Sequence, residues 1–149
     1  MNPDREKAIH DLADLDFTGR DIYLAELIPV VEMAWADGVI APNEQALLEA
    51  YCEALTDRLN QQGGAQFFRL ARTFLVLDRL TQRRLSPAQR VTALKALKTW
   101  SGSGLRGDEM RSGMLDWAEA IAAVDGGPVW DIRELFWLQT MKWNLEGES

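Results

Sequence analysis

The sequence predicts an all-α fold, a single-domain bundle of about seven helices, and three observations support this. Apolar residues recur at spacings of three and four in nearly every segment. No segment shows convincing period-two alternation, which a half-buried strand would produce. Breaks that contain glycine or proline divide the chain into helix-length pieces. With 149 residues, of which 47% are hydrophobic, the chain 1–149 suits one domain with a substantial core.

The first two helices are predicted at residues 4–15 and 21–36, with a turn between them. His10 has no cysteine or second histidine near it in the sequence and is interpreted as a surface residue. The second helix is apolar on most sides, which predicts burial. Pro29 inside it removes one backbone hydrogen bond, so we expect a kink near residues 25–29.

A helix–turn–helix unit is predicted around Asp37 and Gly38. These residues end the second helix, since glycine readily adopts the left-handed conformation. Pro42 suits the first turn of the third helix, where Glu44 complements the helix dipole. Cys52 falls at an apolar position of this helix and is expected to pack in the core.

The second half of the chain predicts four more helices. The first is strongly apolar and covers residues 65–80. The starts of the other three are predicted from capping residues: Ser86 with Gln89, Asp108, and Asp131 with Glu134.

Glu32 is the one residue of the second helix that no local rule explains. Its neighbours on the helix surface are Ile28, Pro29, Trp35 and Ala36, all apolar. Burying an unpaired carboxylate is costly, so a partner, a cation or a proton is expected at Glu32.

The charge is distributed unevenly along the chain. The formal net charge of −7 argues against nucleic acid as a partner of the whole molecule. Residues 65–100, however, hold eight basic residues and one acidic residue. One interpretation is a solvated face that complements the acidic flanks. The alternative is an anionic partner, a membrane surface or nucleic acid, reached through Arg79, Arg83, Arg84 and Arg90.

Cysteine usage and hydropathy predict a cytoplasmic protein. Cys52 is the only cysteine, so no internal disulfide can form and a reducing compartment is expected. The charged N-terminus lacks the apolar core of a signal peptide. No apolar run approaches the ~20 residues that span a bilayer.

The run Ala36-Asp37-Gly38-Val39-Ile40, followed by Glu44, resembles the TerB-like family, which is named for a tellurite-resistance protein. In that family a small-residue helix end, an Asp-Gly turn and a Glu that opens the next helix occur twice in an all-helical bundle. The resemblance therefore implies two pseudo-repeated helix–turn–helix units.

The second unit would contain Val124-Asp125-Gly126, with Glu134 opening the last helix. Glu134 lies nine residues after Asp125, two more than in the first unit. Asp131, six residues after Asp125, is the alternative. The two units frame residues 21–145, which is the core that the resemblance covers.

The resemblance implies a small intracellular module that is linked to stress or tellurite resistance and binds metal ions at its acidic turns. Carboxylate ligands suit hard cations, here Ca²⁺, Mg²⁺ or Mn²⁺. The candidate metal ligands are Glu32, Asp37, Glu44, Asp125, Asp131 and Glu134.

The alternative interpretation of these carboxylates is structural: the Asp residues end helices and the Glu residues occupy first turns. The turns lack the ligand ladder of an EF-hand, and one Cys with one His does not predict zinc. No nucleophile, second base or phosphate-binding loop is recognised, so no enzymatic activity is predicted.

The last helix is apolar on two sides. These sides are Ile132, Phe136 and Trp143, and Trp137, Leu138, Met141 and Leu145. The first interpretation is a helix sandwiched in the core. Otherwise the spare side binds a partner protein or a second copy of the chain, since large exposed apolar patches usually mark interfaces.

The preferred function from sequence is a non-enzymatic binding or scaffold module of a bacterial stress-response system, with a divalent cation at its acidic turns. The alternative is a protein-interaction module that uses the Trp-rich C-terminal helix, with the acidic residues purely structural. An unknown protein partner is expected, and a homo-oligomer through the C-terminal helix is a second expectation. Peripheral membrane contact is the less favoured one.

Overall fold

The computed structural model describes residues 3–36, 38–63, 68–102, 105–124 and 132–146. These ranges contain seven α-helices, one short 3-10 helix (Gly19–Leu24) and no strand, which confirms the predicted all-α fold. The α-helices are α1 (Pro3–Ala13), α2 (Leu27–Trp35), α3 (Pro42–Gly63), α4 (Leu70–Gln82), α5 (Pro87–Ser101), α6 (Leu105–Val124) and α7 (Ile132–Leu145). None of the described helices is both long enough and apolar enough to cross a membrane.

Residues 21–36 form two helices rather than one kinked helix. The 3-10 helix ends at Leu24 and α2 begins at Leu27, so Pro29 is the third residue of α2. The first N–H groups of a helix have no intrahelical acceptor, so a proline there removes no helical hydrogen bond. The interruption falls at Ala25 and Glu26, inside the range where a kink was expected. Its cause is a change of helix type before the proline, where the N–H of Ile28 donates to the carbonyl of Ala25 at 3.0 Å.

The turn between α2 and α3 follows the sequence pattern. Gly38 has a φ of +93°, which is the positive value expected of a glycine at a helix end. Its N–H donates to the carbonyl of Trp35 at 2.7 Å. Pro42 is the first residue of α3, as predicted. Asp37 lies outside the described residues.

α4 begins at Leu70, five residues after the predicted start. Residues 65–67 lie outside the described part of the chain. The Asn60 side chain accepts from the N–H of Phe68 at 2.9 Å and donates to its carbonyl at 3.0 Å. Because one side chain binds both backbone groups of Phe68, this residue is held outside the helix.

Local capping chemistry sets the start of α5, whereas Asp108 does not cap α6. Ser86 Oγ accepts from the N–H of Gln89 at 3.2 Å, and Gln89 Oε1 accepts from the N–H of Ser86 at 2.9 Å, which confirms the capping box. The prediction that Asp108 caps α6 was wrong. The helix begins three residues earlier, so Asp108 lies in the first turn of α6. Its Oδ1 is 2.6 Å from an Nη nitrogen of Arg111. The predicted cap Asp131 lies outside the described residues.

α2 lies at the centre of the fold. It contacts each of the helices α3 to α7, whereas α1 lies on the outside against α5. Every residue from Leu27 to Ala34 is buried, which confirms the predicted burial of this helix. Cys52 on α3 is also buried in the core, as expected.

Two tryptophan side chains connect α2 to other helices by hydrogen bonds. Trp35 Nε1 donates to the carbonyl of Leu80 at 3.0 Å, and Trp137 Nε1 donates to the carbonyl of Pro29 at 2.9 Å. Leu80 lies in the last turn of α4, where carbonyls have no intrahelical donor. Trp35 therefore satisfies a carbonyl that the helix itself leaves open.

Arginines of the basic segment 65–100 pair with acids of the preceding acidic segment. Arg72 Nε donates to Asp21 at 3.1 Å, and Arg84 and Arg90 both reach Glu32. These contacts support the interpretation that the basic segment complements its acidic flank. An anionic partner of this segment stays a prediction.

We expect Trp35→Phe to destabilise the fold, because it removes the donor to Leu80 while keeping an aromatic ring. A buried carbonyl that loses its donor costs about 1–2 kcal/mol, which lowers the melting temperature of a chain of this size by about 2–8 °C. Thermal denaturation followed by circular dichroism measures the shift. Trp143→Phe is the matched control, because Trp143 is exposed. Equal melting temperatures for the two variants would contradict the role of Trp35.

Candidate functional site

Three of the six candidate metal ligands lie in the described part of the chain. Glu32, Glu44 and Glu134 are buried, with relative exposures of 2%, 0% and 4%. The other three, Asp37, Asp125 and Asp131, lie outside the described residues. Buried carboxylates require a compensating contact, so the surroundings of each glutamate decide what it can do.

Glu32 has the cationic partner that its burial requires. Arg84 Nε donates to Glu32 Oε1 at 3.3 Å, and Arg90 Nε lies 3.3 Å from the same oxygen. Burial raises the pKa of the Glu32 carboxyl above its ordinary value, while Arg90 and Arg84 act in the opposite direction. The arginines already balance the charge of Glu32, so Glu32 needs no metal cation and is not part of the cation site proposed below.

Glu44 and Glu134 occupy equivalent positions, as the third residue of α3 and of α7. Glu44 Oε1 accepts from the N–H of Ala41 at 2.8 Å, which agrees with the interpretation of Glu44 as a helix-start residue. The start of α3 is linked to the end of α6, because Asn43 Nδ2 donates to the carbonyl of Val124 at 3.2 Å. The chain between Val124 and the start of α7 lies outside the described residues.

The first interpretation of α7, a helix sandwiched in the core, was wrong. One side is buried, as Trp137, Leu138, Met141 and Leu145 show. On the other side Phe136 and Trp143 are 74% and 78% exposed. The side chain of Ile132 lies outside the described part. α7 contacts α2, α5 and α6, and these helices cover only its inner side.

A groove of about 540 Å³ lies between the end of α2, the start of α5 and α7. Its lining has a basic part, with Arg84, Arg90 and Arg133, and an apolar part that includes Pro87, Val91 and Phe136. The sequence placed Arg84 and Arg90 in a basic segment and Phe136 on an apolar helix side. It contained no signal that the two would meet, because this depends on how α5 packs against α7.

A second group of possible cation ligands lies on α1. His10, Asp11 and Asp14 offer ligand atoms within 4.8 Å of one another. The i, i+4 spacing of His10 and Asp14 was a signal for this group that the sequence interpretation missed. Asp11 is bound by Lys7 at 2.9 Å, and His10 is exposed, as predicted. Asp11 is paired with Lys7 and Asp14 with His10. These surface ion pairs explain the cluster without a metal ion.

We expect the stability of the wild type, relative to Glu32→Gln, to fall as the pH rises. The pKa of Glu32 is raised above its ordinary 4.5, so the folded chain holds a proton on Glu32 more tightly than the unfolded chain does. The stabilisation of the wild type is therefore fully present below 4.5 and is lost as the pH rises through the folded pKa. Urea denaturation of both proteins between about pH 4 and about pH 8 measures this difference.

Glu53→Gln, at an exposed position of α3, is the control for loss of one negative charge. If the attraction of the arginines outweighed burial, the sign would be opposite. The wild type would then gain stability relative to Glu32→Gln as the pH rises through 4.5.

Comparison of the chain with protein families, characterised proteins and solved structures finds no match. The resemblance to the TerB-like family therefore rests on the two Asp-Gly runs and the glutamates that follow them. The features of the structure that bear on function are the exposed side of α7, the groove, and the glutamates at the starts of α3 and α7.

Proposed function

We propose that the chain is a non-enzymatic binding module that holds a partner protein on the outer side of α7. The observation that carries this proposal is the exposure of Phe136 and Trp143, two large aromatic side chains. They are seven residues apart, so they lie on the same side of the helix. Leu135 beside them is exposed as well.

The size of these side chains makes the outer side of α7 an energetically favourable interface. Covering a large aromatic side chain buries about 150–250 Å², and apolar area contributes roughly 25 cal/mol per Å². Covering Phe136 and Trp143 would therefore contribute several kcal/mol to binding. Single exposed apolar residues such as Leu75 on α4 are normal on protein surfaces. Neighbouring aromatics on one helix side mark an interface.

The state of the Cys52 thiol favours binding over cysteine-based catalysis. Cys52 is the only thiol, and it lies in the core, where burial raises its pKa to about 12. A thiol with this pKa stays protonated at neutral pH, so it is not an effective nucleophile.

We expect a photo-reactive residue at position 136 to capture the partner in the source cells. p-Benzoylphenylalanine is placed at Phe136 or Trp143, and at Leu75 as the control, because Leu75 is 59% exposed on a different helix. Irradiation should give the same discrete crosslinked protein from 136 and 143, identified by mass spectrometry, and not from 75.

Two results would contradict the proposal. If positions 136 and 143 share no product beyond those of position 75, the outer side of α7 binds nothing specifically. A crosslinked product made of two copies of this chain would assign the surface to self-association.

A second candidate function is a divalent-cation site formed by the glutamates at the starts of α3 and α7. The observation that favours it is the Asn43–Val124 hydrogen bond, which places the start of α3 beside the end of α6. Glu44 and Glu134 are buried at equivalent positions of their helices. Carboxylate oxygens are the donors that Ca²⁺, Mg²⁺ and Mn²⁺ prefer, so these residues fit such an ion chemically.

If this site exists, millimolar Ca²⁺, Mg²⁺ or Mn²⁺ should raise the melting temperature of the chelator-treated protein. A ligand that binds only the folded chain stabilises it in proportion to the logarithm of its concentration. Glu44→Gln and Glu134→Gln should abolish this rise, whereas Glu53→Gln should retain it. A melting temperature that no cation changes would remove the cation site and leave the interaction module intact.

The role in tellurite resistance or another stress response is proposed from the resemblance alone. A cytoplasmic location is likewise proposed from the cysteine content. Nucleic acid is not proposed as a partner, because the net charge of −7 opposes a polyanion.

A further inference from the structure

We propose that the groove between α5 and α7 binds a carboxylate of the partner's peptide, an Asp or Glu that lies next to a bulky apolar residue. This inference rests on the proposed function and specifies the chemistry of the partner. Arg84 and Arg90 would bind the carboxylate, and Phe136 and Val91 would contact the apolar side chain.

Arg84 and Arg90 have hydrogen-bond donors that their contacts with Glu32 do not use. Arg84 donates through Nε to Glu32. Arg90 Nε lies near the same oxygen but without hydrogen-bond geometry. In the part of the chain that the structure describes, the terminal Nη nitrogens of both arginines donate no hydrogen bond. A guanidinium fork with open Nη positions matches the geometry of a carboxylate.

The charges of the described residues favour an additional anion. Among these residues, the guanidinium groups of Arg84 and Arg90 contact one carboxylate, that of Glu32, which leaves an excess of one positive charge. The repulsion is felt within the pair, since Arg84 contributes to lowering the pKa of Arg90, after the larger effect of burial. An additional carboxylate would balance the excess. Only 18% of the Arg90 side chain is exposed. The attraction between Arg90 and a bound carboxylate is therefore screened less than it would be at the open surface.

The groove also has a size and polarity that suit an apolar side chain beside a carboxylate. Its volume of about 540 Å³ lies within the range of about 300–1,000 Å³ that binding pockets occupy. Pro87 and Val91 on α5 and Phe136 on α7 all line it. An apolar side chain beside the ligand's carboxylate would therefore be covered on more than one side.

A peptide fits this surface better than a membrane or a nucleic acid does. Thr140 and Phe136 line the groove, and Trp143 continues the same side of α7 beyond them. From Phe136 to Trp143 the helix extends about 10 Å, which is a length that an extended segment of three residues spans. A polyanion would approach a chain with a net charge of −7 and gain only a few local contacts.

The test begins with a random dodecapeptide library displayed on phage and selected on the full chain. We expect the enriched peptides to carry Asp or Glu within two positions of Phe, Trp, Leu or Met. One enriched peptide is then synthesised with a fluorescein label, together with a copy in which Asn or Gln replaces each acid. Fluorescence anisotropy measures the affinity of both peptides for the wild type and the variants.

Two matched pairs of variants separate the groove from the rest of the surface. Arg84→Gln is compared with Arg83→Gln, since Arg83 is the exposed neighbour that does not line the groove. Losing a hydrogen bond between charged groups should weaken binding by about tenfold or more. Phe136→Ala is compared with Leu75→Ala. Phe136 is exposed, so Phe136→Ala should not disturb the core. If Arg84→Gln does not fold, Phe136→Ala and the acid-free peptide still test the groove.

The expected result is weaker binding for Arg84→Gln, for Phe136→Ala and for the acid-free peptide, with unchanged binding for both controls. Enriched peptides without acids, or a peptide that binds Arg84→Gln as tightly as the wild type, would overturn the inference. So would a labelled oligonucleotide or an anionic vesicle that binds more tightly than the peptide in an Arg84-dependent way.

The inference and the proposed function can fail separately. Peptides whose binding depends on Phe136 but not on Arg84 would refute the carboxylate and leave the interface on α7 in place. Absence of any enriched peptide, together with no specific crosslink from position 136, would refute both.

Discussion

The ion pairs of Glu32 with Arg84 and Arg90 are the contacts on which the centre of the fold depends. α2 touches α3 to α7, so all of its sides must tolerate burial, and Glu32 is the one charged residue between Leu27 and Ala34. An unpaired carboxylate there would cost several kcal/mol. The two arginines lie after α4 and in α5, so they reach Glu32 only when both helices pack against α2. Burial of this acid is therefore coupled to one particular arrangement of three helices.

The tryptophan hydrogen bonds add direction to a core that is otherwise apolar. Apolar contacts hold helices together but tolerate many rotations and shifts, because they are non-directional. Trp35 aligns the end of α2 with the last turn of α4, and Trp137 aligns α7 with the carbonyl of Pro29. The second contact bears on the proposed interface, since the inward position of Trp137 leaves Phe136, the preceding residue, exposed.

The parts of this structure that the sequence could predict are those that local chemistry controls. Periodicity identified seven helices, and the Ser86–Gln89 pattern identified a helix start, because each depends on residues within one or two turns. The need for a partner at Glu32 was also predictable, but its identity was not, since Arg84 and Arg90 are more than 50 residues away. α7 was misjudged for a related reason. A helix that is apolar on two sides does not reveal which side the other helices will cover.

The contacts of Arg84 and Arg90 with Glu32 are compatible with the proposed binding of a second carboxylate, because Glu32 accepts only part of what the arginines can donate. An acidic chain that binds an acidic peptide must overcome the repulsion between their negative charges. A local excess of one positive charge inside a partly enclosed groove would do this for a single carboxylate. It would not attract polyanions in general. The surrounding negative charge then becomes a source of selectivity, because it disfavours any ligand whose charge extends beyond the groove. A single carboxylate beside an apolar side chain satisfies both conditions. The pairing that makes Glu32 tolerable in the core thereby shapes the surface that a partner would meet.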